Sequence, residues 1–245
     1  MRDPTGPYNY FNSWWHPYLQ YGKLHTMQSV TKSVVSTVIG IAVGRGDFPD
    51  LDTPVLKYFE SGSVDNVDDK KRQMTIRHLL IMTTGLEWNE DYPYSDPRNT
   101  AANMQGVPDW VKFTMDRPMS KEPGKSFQYN SGATLILGHL FSKATGMDIE
   151  EYAVRYWFNP LGIDNFYWKR TPFGLAETQE GLYVSSRDIA KIAYLYLKQG
   201  MWQDKSIVPR TWVNVSIKPS VSITDNRSVE YGYSWRLLNY EYKGQ

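Results

Sequence analysis

Ser29 and Lys32 are the residues of this sequence best suited to do chemistry. Residues three apart in a helix lie on one face about one turn apart, so the lysine amine can reach the serine hydroxyl. A serine needs a nearby base to be a useful nucleophile at neutral pH. A lysine can be that base where burial or a neighbouring cation favours its neutral amine. The spacing therefore predicts a serine nucleophile that is activated by a lysine.

An apolar helix over residues 29–45 must position this pair. Its apolar face has helical spacing and consists of Val30, Val34, Val35, Val38, Ile39, Ala42 and Val43. The opposite stripe holds small or polar residues, namely Ser29, Lys32, Ser33, Ser36 and Gly40. Gly44 and Gly46 are expected to end the helix, and the positive end of its dipole would stabilise negative charge on an attacking oxygen. The alternative is a core helix whose polar stripe is simply solvated.

The remaining elements predict an α+β fold, with a helical region at roughly 47–170 inserted between strands of an antiparallel sheet. Expected helices, with a single helical turn at 54–59, lie at 75–82, 110–115, 132–144, 149–158, 186–199 and 209–217. Expected strands lie at 21–25, 166–168 and 231–239, and expected loops at 61–72 and 87–108. No repeat or linker is visible, so we expect a single domain over 1–245.

The composition excludes several classes of function. With 245 residues, 41% of them hydrophobic, the chain can bury a large core. The net charge of +1 is made of interspersed charges and predicts no nucleic-acid partner. The absence of cysteine excludes disulfides, thiolate zinc sites and cysteine nucleophiles. We see no signal-peptide pattern and no segment that approaches a membrane span, and the compartment and oligomeric state stay open.

Other catalytic motifs are absent or incomplete. Neither Gly-x-Ser-x-Gly nor His-Glu-x-x-His occurs. Gly124-Lys125-Ser126 resembles the end of a phosphate-binding loop, but position 119 is Met where that motif needs Gly. The four scattered histidines are expected to be structural. We therefore expect no metal and no organic cofactor.

Several segments in order resemble the class C β-lactamase family, which includes β-lactamases, D-alanyl-D-alanine carboxypeptidases and related esterases. The matching segments are His25 to Ser33, Thr75 to Leu86, Pro123-Gly124 with Phe127 and Tyr129, and Gly181 to Lys191. The last of these resembles a structural helix of the family. The resemblance covers most of residues 23–217 and implies a β-lactamase/transpeptidase-like fold.

The resemblance implies a role for each matching residue. Ser29 would be the acylated nucleophile, Lys32 would keep it reactive, and Tyr129 would be the partner base or proton shuttle. Gln28, Asn130 and Ser131 would be substrate-binding residues. The family's second motif is Tyr-x-Asn, whereas this chain has Tyr129-Asn130-Ser131, so a serine hydroxyl replaces the amide. That departure favours esters or other amides over β-lactams.

The family's third motif, a Lys/His-x-Gly strand that supplies an oxyanion-hole donor, is not found in the sequence. We therefore expect an incomplete sheet that lacks C-terminal strands, as in a fragment of a longer enzyme. The favoured function is a serine hydrolase that forms an acyl-enzyme from a small ester or amide. The alternative is a catalytically silent, penicillin-binding-like protein that binds cell-wall-type ligands or a protein partner.

Overall fold

The computed structural model describes residues 24–223 and 229–239. The α-helices in these ranges are α1 Val30–Arg45, α2 Asp69–Arg72, α3 Ile76–Leu80, α4 Thr100–Gln105, α5 Trp110–Met115, α6 Ser131–Thr145, α7 Ile149–Ala153, α8 Asn159–Leu161, α9 Ser186–Leu197 and α10 Arg210–Ser216. The strands are β1 His25–Thr26, β2 Phe166–Trp168, β3 Leu182–Val184, β4 Met201–Trp202, β5 Lys205–Ser206, β6 Val221–Ser222, β7 Val229–Tyr231 and β8 Arg236–Leu238. A 3-10 helix at Val55–Tyr58 and a π-helical turn at Val154–Phe158 complete the set.

The central helix α1 is buried on nearly all sides, which is contrary to the alternative of a solvated polar stripe. Every residue from Thr31 to Ala42 is buried, including Lys32. A Cβ at Gly40 would lie 2.2 Å from the ring of Trp212, so the missing side chain lets α10 pack directly on α1. Gly44 lies inside the helix, and Gly46, in the left-handed conformation, ends it.

Three small antiparallel sheets are present in the described ranges. They have the orders β1-β3-β2, β4-β5 and β6-β7-β8. Strand β3 is fully buried and pairs His25 with Val184 on one side and Phe166 with Val184 on the other. The helix expected at 186–199 is α9, which starts after the cap at Ser185, while Leu182 and Tyr183 before it form this central strand.

The expectation of one continuous C-terminal strand at 231–239 is wrong. The chain forms a hairpin, in which Tyr231 of β7 pairs with Arg236 of β8. The turn fits because Ser234 has a positive φ of 60° and Gly232 packs where a Cβ would lie 2.1 Å from the Ser216 carbonyl oxygen. The strand expected at 21–25 falls mostly outside the described residues, and β1 begins at His25.

The helical region between β1 and β2 shares one apolar core with α1. Helix α6 packs on α1, α3 and α5, and its residues from Ser131 to Leu137 are buried. His78 is structural, as expected, because its Nδ1 accepts the backbone N–H of Thr75 at the start of α3. In the described ranges no helix has the length and apolar content needed to cross a membrane, and no group of three possible metal ligands converges.

Candidate active site

The entry into α1 presents Ser29 to solvent. The backbone N–H of Met27 is bonded to the carbonyl of Leu182 at 2.8 Å, which ties this entry to β3. Gln28 then adopts a positive φ of 47°, a conformation that is uncommon for a non-glycine residue. Ser29 follows as the residue at the amino end of α1, and it is exposed. A strained turn at such a position is typical of functional sites.

Lys32 lies directly beneath Ser29. Its side chain is only 1% exposed. Its Nζ lies 3.3 Å from the Ser29 Oγ and 2.9 Å from the carbonyl oxygen of Gln179. The same nitrogen lies 5.1 Å from the centre of the Tyr129 ring. The contact that the three-residue spacing predicts is therefore present, and Tyr129 is next to it.

Tyr129 reaches this place from the other side of the fold. The backbone N–H of Gln128 is bonded to the carbonyl of Met82 at 2.8 Å, and the Phe127 ring packs on Tyr231 with centroids 5.3 Å apart. Ser29 and Tyr129 line the same open cavity, whose volume is about 490 Å³. That volume suits a small-molecule ligand.

The three residues predicted to bind substrate do not point into this cavity. The side-chain amide of Gln28 donates to Thr26 Oγ1 at 3.2 Å. Asn130 is fully buried and caps α6, because its Oδ1 accepts the N–H of Ala133 at 3.0 Å. The Ser131 hydroxyl donates to Glu90 at 2.9 Å. A substrate-binding role for the three stays a prediction.

Glu90 is a site residue that the sequence analysis did not identify. Its carboxylate accepts hydrogen bonds from the indole N–H of Trp88 at 2.6 Å and from the Ser131 hydroxyl. Burial raises the pKa of Glu90, while these hydrogen bonds and the nearby Lys32 oppose the rise. Glu90 lies in a segment expected to be a loop, and no spacing relates it to Ser29 or Tyr129. The one local signal is that Glu90 follows Trp88 by two residues in that loop.

A second buried acid, Glu177, lies on the Gln179 side of Lys32. Burial raises the pKa of Glu177 to about 8, the nearby Glu180 adds to the rise, and Lys169 and Lys32 oppose it. One carboxyl oxygen of Glu177 accepts the backbone N–H of Glu180 at 3.0 Å. Lys32 is therefore a buried cation in the field of two buried carboxyl groups.

The hairpin of β7 and β8 forms the far wall of the cavity. The Ser33 hydroxyl donates to the Ser234 carbonyl at 2.6 Å, and the Ser234 N–H donates to the carbonyl of Leu80 at 2.8 Å. These bonds fix the turn against α1 and α3, and the wall presents Tyr231, Trp235 and Arg236. The sequence does not predict this wall, because residues 231–239 have the pattern of a single strand.

Comparisons with known proteins agree with the fold. A penicillin-binding protein from Bacillus halodurans superposes with a TM-score of 0.68 at 18% identity, over 89% of this chain and 72% of that one. The 6-aminohexanoate-dimer hydrolase of Paenarthrobacter ureafaciens is 26% identical over 201 residues, which is 77% of this chain and 49% of that protein. Monacolin J acid methylbutanoyltransferase of Aspergillus terreus (strain NIH 2624 / FGSC A1156) is 29% identical over 145 residues, or 57% of this chain and 35% of that protein.

The chain spans about a third to a half of the length of these two curated relatives. A family model described as Beta-lactamase matches residues 14–244, which is nearly all of the chain. The helical and antiparallel architecture and the small sheets fit that match. The chain belongs to the beta-lactamase family.

Proposed function

We propose that this chain is a serine hydrolase that cleaves a small ester or amide through an acyl-enzyme. The observation that carries the proposal is the contact between the buried Lys32 amine and the exposed Ser29 hydroxyl, at the edge of a cavity that Tyr129 also lines. A buried cation costs free energy unless it is paired. Holding one beneath a hydroxyl is therefore better explained by chemistry than by stability.

In the proposed reaction the Ser29 Oγ attacks the carbonyl carbon of the substrate. Tyr129, whose ring lies beside the Lys32 Nζ, takes the hydroxyl proton and passes it to the leaving group. The negative charge on the carbonyl oxygen faces the Ser29 backbone N–H at the amino end of α1. Water then attacks the acyl carbon and gives one proton to Tyr129. Tyr129 passes this proton to the Ser29 Oγ, so that the acid leaves and the serine hydroxyl is restored.

Tyr231 lines the same cavity as Tyr129, but it is the Tyr129 ring whose centre lies 5.1 Å from the Lys32 Nζ. The Tyr231 side chain is buried, and this burial, with Tyr129 and Glu90 nearby, raises the pKa of Tyr231 well above that of a free tyrosine. A phenol with a raised pKa keeps its proton at neutral pH and cannot accept one from Ser29. We therefore assign the proton transfer to Tyr129.

The names of the relatives support both an ester and an amide as the acyl donor. One is a hydrolase of the 6-aminohexanoate dimer, and another transfers a methylbutanoyl group to monacolin J acid. Hydrolysis and acyl transfer share the acyl-enzyme and differ in whether water or an alcohol accepts the acyl group. An ester or amide as the acyl donor is the common element that we carry to this chain.

The test is hydrolysis of p-nitrophenyl butyrate by the parent chain and by Ser29→Ala. We expect release of p-nitrophenol by the parent and at least a hundredfold loss in the variant, because the nucleophile is gone. The control is Ser36→Ala, which removes another hydroxyl of α1 away from the cavity. Equal rates for parent and Ser29→Ala would contradict the proposal. Tight binding of a cell-wall peptide without hydrolysis by the parent would instead favour the catalytically silent alternative.

A further inference from the structure

We infer that Arg236 binds a carboxylate of the substrate, so that the preferred esters or amides are anionic. This inference rests on the proposed hydrolase function and names the substrate class for the same cavity. A short apolar chain between the scissile carbonyl and the carboxylate fits the cavity best, because the walls between Ser29 and Arg236 are aromatic or aliphatic.

The charge around the cavity is the first support. Among residues 24–223 and 229–239, those that line it are Ser29, Val30, Ser33, Tyr129, Tyr231, Ser234, Trp235 and Arg236. Arg236 is the one charged member of this set, and no carboxylate belongs to it. The two acids of the site, Glu90 and Glu177, lie on the Lys32 side and are held by internal hydrogen bonds. The accessible wall of the cavity is therefore positive.

The position of Arg236 on the hairpin is the second support. Tyr231 and Arg236 are opposite each other in the antiparallel register, so their side chains lie on the same face of the sheet. Tyr231 lines the cavity and lies in the electrostatic field of Arg236. The turn between them is bonded to α1 and α3 through Ser234. The guanidinium thus extends from a fixed wall.

The guanidinium donors of Arg236, which have no side-chain bond within the described ranges, are the third support. The hydroxyls of Ser33 and Ser234, which also line the cavity, are committed, because Ser33 donates to the Ser234 carbonyl and Ser234 donates to the Leu80 carbonyl. By contrast, Arg236 forms no ion pair within residues 24–223 and 229–239. A guanidinium offers five donors in a planar fork that matches a carboxylate.

The apolar walls define the rest of the ligand. Val30 is 51% exposed beside the nucleophile, so this edge of the cavity is aliphatic. Trp235 packs on Tyr196 with ring centroids 4.5 Å apart, which holds its ring in place. An apolar surface held open between a nucleophile and a cation suits a hydrocarbon chain with a carbonyl at one end and a carboxylate at the other.

The test compares two esters that differ only in charge. Mono-p-nitrophenyl adipate carries a carboxylate where p-nitrophenyl hexanoate carries a methyl group. After correction for spontaneous hydrolysis, we expect the parent chain to prefer the adipate monoester by about tenfold in kcat/KM, which is modest because the arginine is exposed to solvent. In Arg236→Gln this preference should fall to about one, chiefly through KM. Arg236→Lys should keep part of it, and 0.5 M salt should weaken it in the parent.

Arg187→Gln is the matched control, because Arg187 is an exposed arginine on α9 outside the cavity lining. It removes the same charge and should keep the full preference. A second pair, 3-acetoxybenzoate and its methyl ester, places the carboxylate on the leaving group. A preference for the anion in either pair that requires Arg236 supports the inference and shows on which side of the carbonyl the carboxylate lies.

The inference and the proposed function fail in different ways. Hydrolysis of neutral and anionic esters with equal efficiency, or an equal loss for both in Arg236→Gln, would overturn the inference and leave the hydrolase function intact. Hydrolysis of none of the four esters by the folded parent chain would overturn the hydrolase function, and the inference with it.

Discussion

At the scale of single residues, two buried lysines show what is special about the site. Lys71 is fully buried and donates to the carbonyl oxygens of Asp65 and Met115, each at 2.8 Å. Lys32 is equally buried but shares its ammonium between one carbonyl and the hydroxyl of Ser29. Lys71 is explained as a structural cross-link from α2 to Asp65 and to the end of α5, whereas Lys32 leaves part of its bonding capacity at the cavity.

This contrast predicts opposite effects for the same substitution. Lys32→Met should lower kcat for p-nitrophenyl butyrate by about a hundredfold or more, because proton transfer from Ser29 loses its support. Lys71→Met should lower the free energy of unfolding, because the carbonyls of Asp65 and of the buried Met115 lose their donor, while kcat per folded molecule stays near that of the parent. Urea unfolding and initial rates measure both. An active Lys32→Met, or a loss of kcat in both variants, would contradict the assignment.

The sequence predicts the reach of Lys32 to Ser29 because helical geometry fixes side chains three residues apart. It could not predict Glu90, whose contact with Ser131 joins positions 41 apart. Tyr129 came from the resemblance to a family, since no local pattern relates it to Ser29. Long-range contacts of this kind depend on the fold as a whole.

At the scale of elements, α1 depends on a residue without a side chain. Gly40→Ala would place a Cβ 2.2 Å from the Trp212 ring, and α1 and α10 would have to separate. We expect a loss of about 1–3 kcal/mol in the free energy of unfolding. The control is Ser36→Ala in the same helix, where a buried hydroxyl without a partner among the described residues is removed. That variant should be as stable as the parent or more so, and equal stability of all three proteins would show that the packing is misjudged.

Helix α6 begins at a residue for which the sequence and the structure suggest different roles. Asn130→Ala should lower the free energy of unfolding by about 1 kcal/mol, because the capping bond to the Ala133 N–H is lost. Asn130→Ser should recover part of this, since serine is also a good cap. KM for p-nitrophenyl butyrate should stay the same in both if capping is the main role. A raised KM with unchanged stability would instead support the substrate-binding role.

The helices are predicted better than the strands, and the reason is physical. Helix α5 lies at 110–115 as expected, because its periodicity and cap are local signals. Strands β4 and β5 have two residues each and were not predicted, because only their pairing defines them. The hairpin at 231–236 was missed for the same reason. A two- or three-residue strand carries too few residues for an alternating pattern.

At the scale of the whole molecule, the expected α+β architecture with helices between antiparallel strands is confirmed. What the sequence could not supply is how β1 pairs with β3 across most of the chain, since that register depends on the assembled core. The same assembly buries Glu177, and this burial makes the stability of the whole fold depend on pH.

Glu177→Gln should change that dependence. The pKa of Glu177 is raised to about 8 in the folded state, above its ordinary value of 4.5, so the folded protein holds the proton more tightly than the unfolded chain. The parent should therefore lose stability as the pH rises from about 4.5 to 8. The glutamine keeps an oxygen for the Glu180 N–H but cannot ionise. The difference between the Tm of the variant and the Tm of the parent should therefore increase from pH 5 to pH 8. A difference that stays constant over this range would contradict the burial of this carboxyl group.

The most direct test of the central claim is the intact mass of the chain after treatment with a fluorophosphonate probe. We expect a single covalent addition, mapped by peptide sequencing to Ser29, which Ser29→Ala abolishes and which slows strongly in Lys32→Met. A chain that stays unmodified at saturating probe, or is labelled on another serine, would contradict Ser29 as the nucleophile.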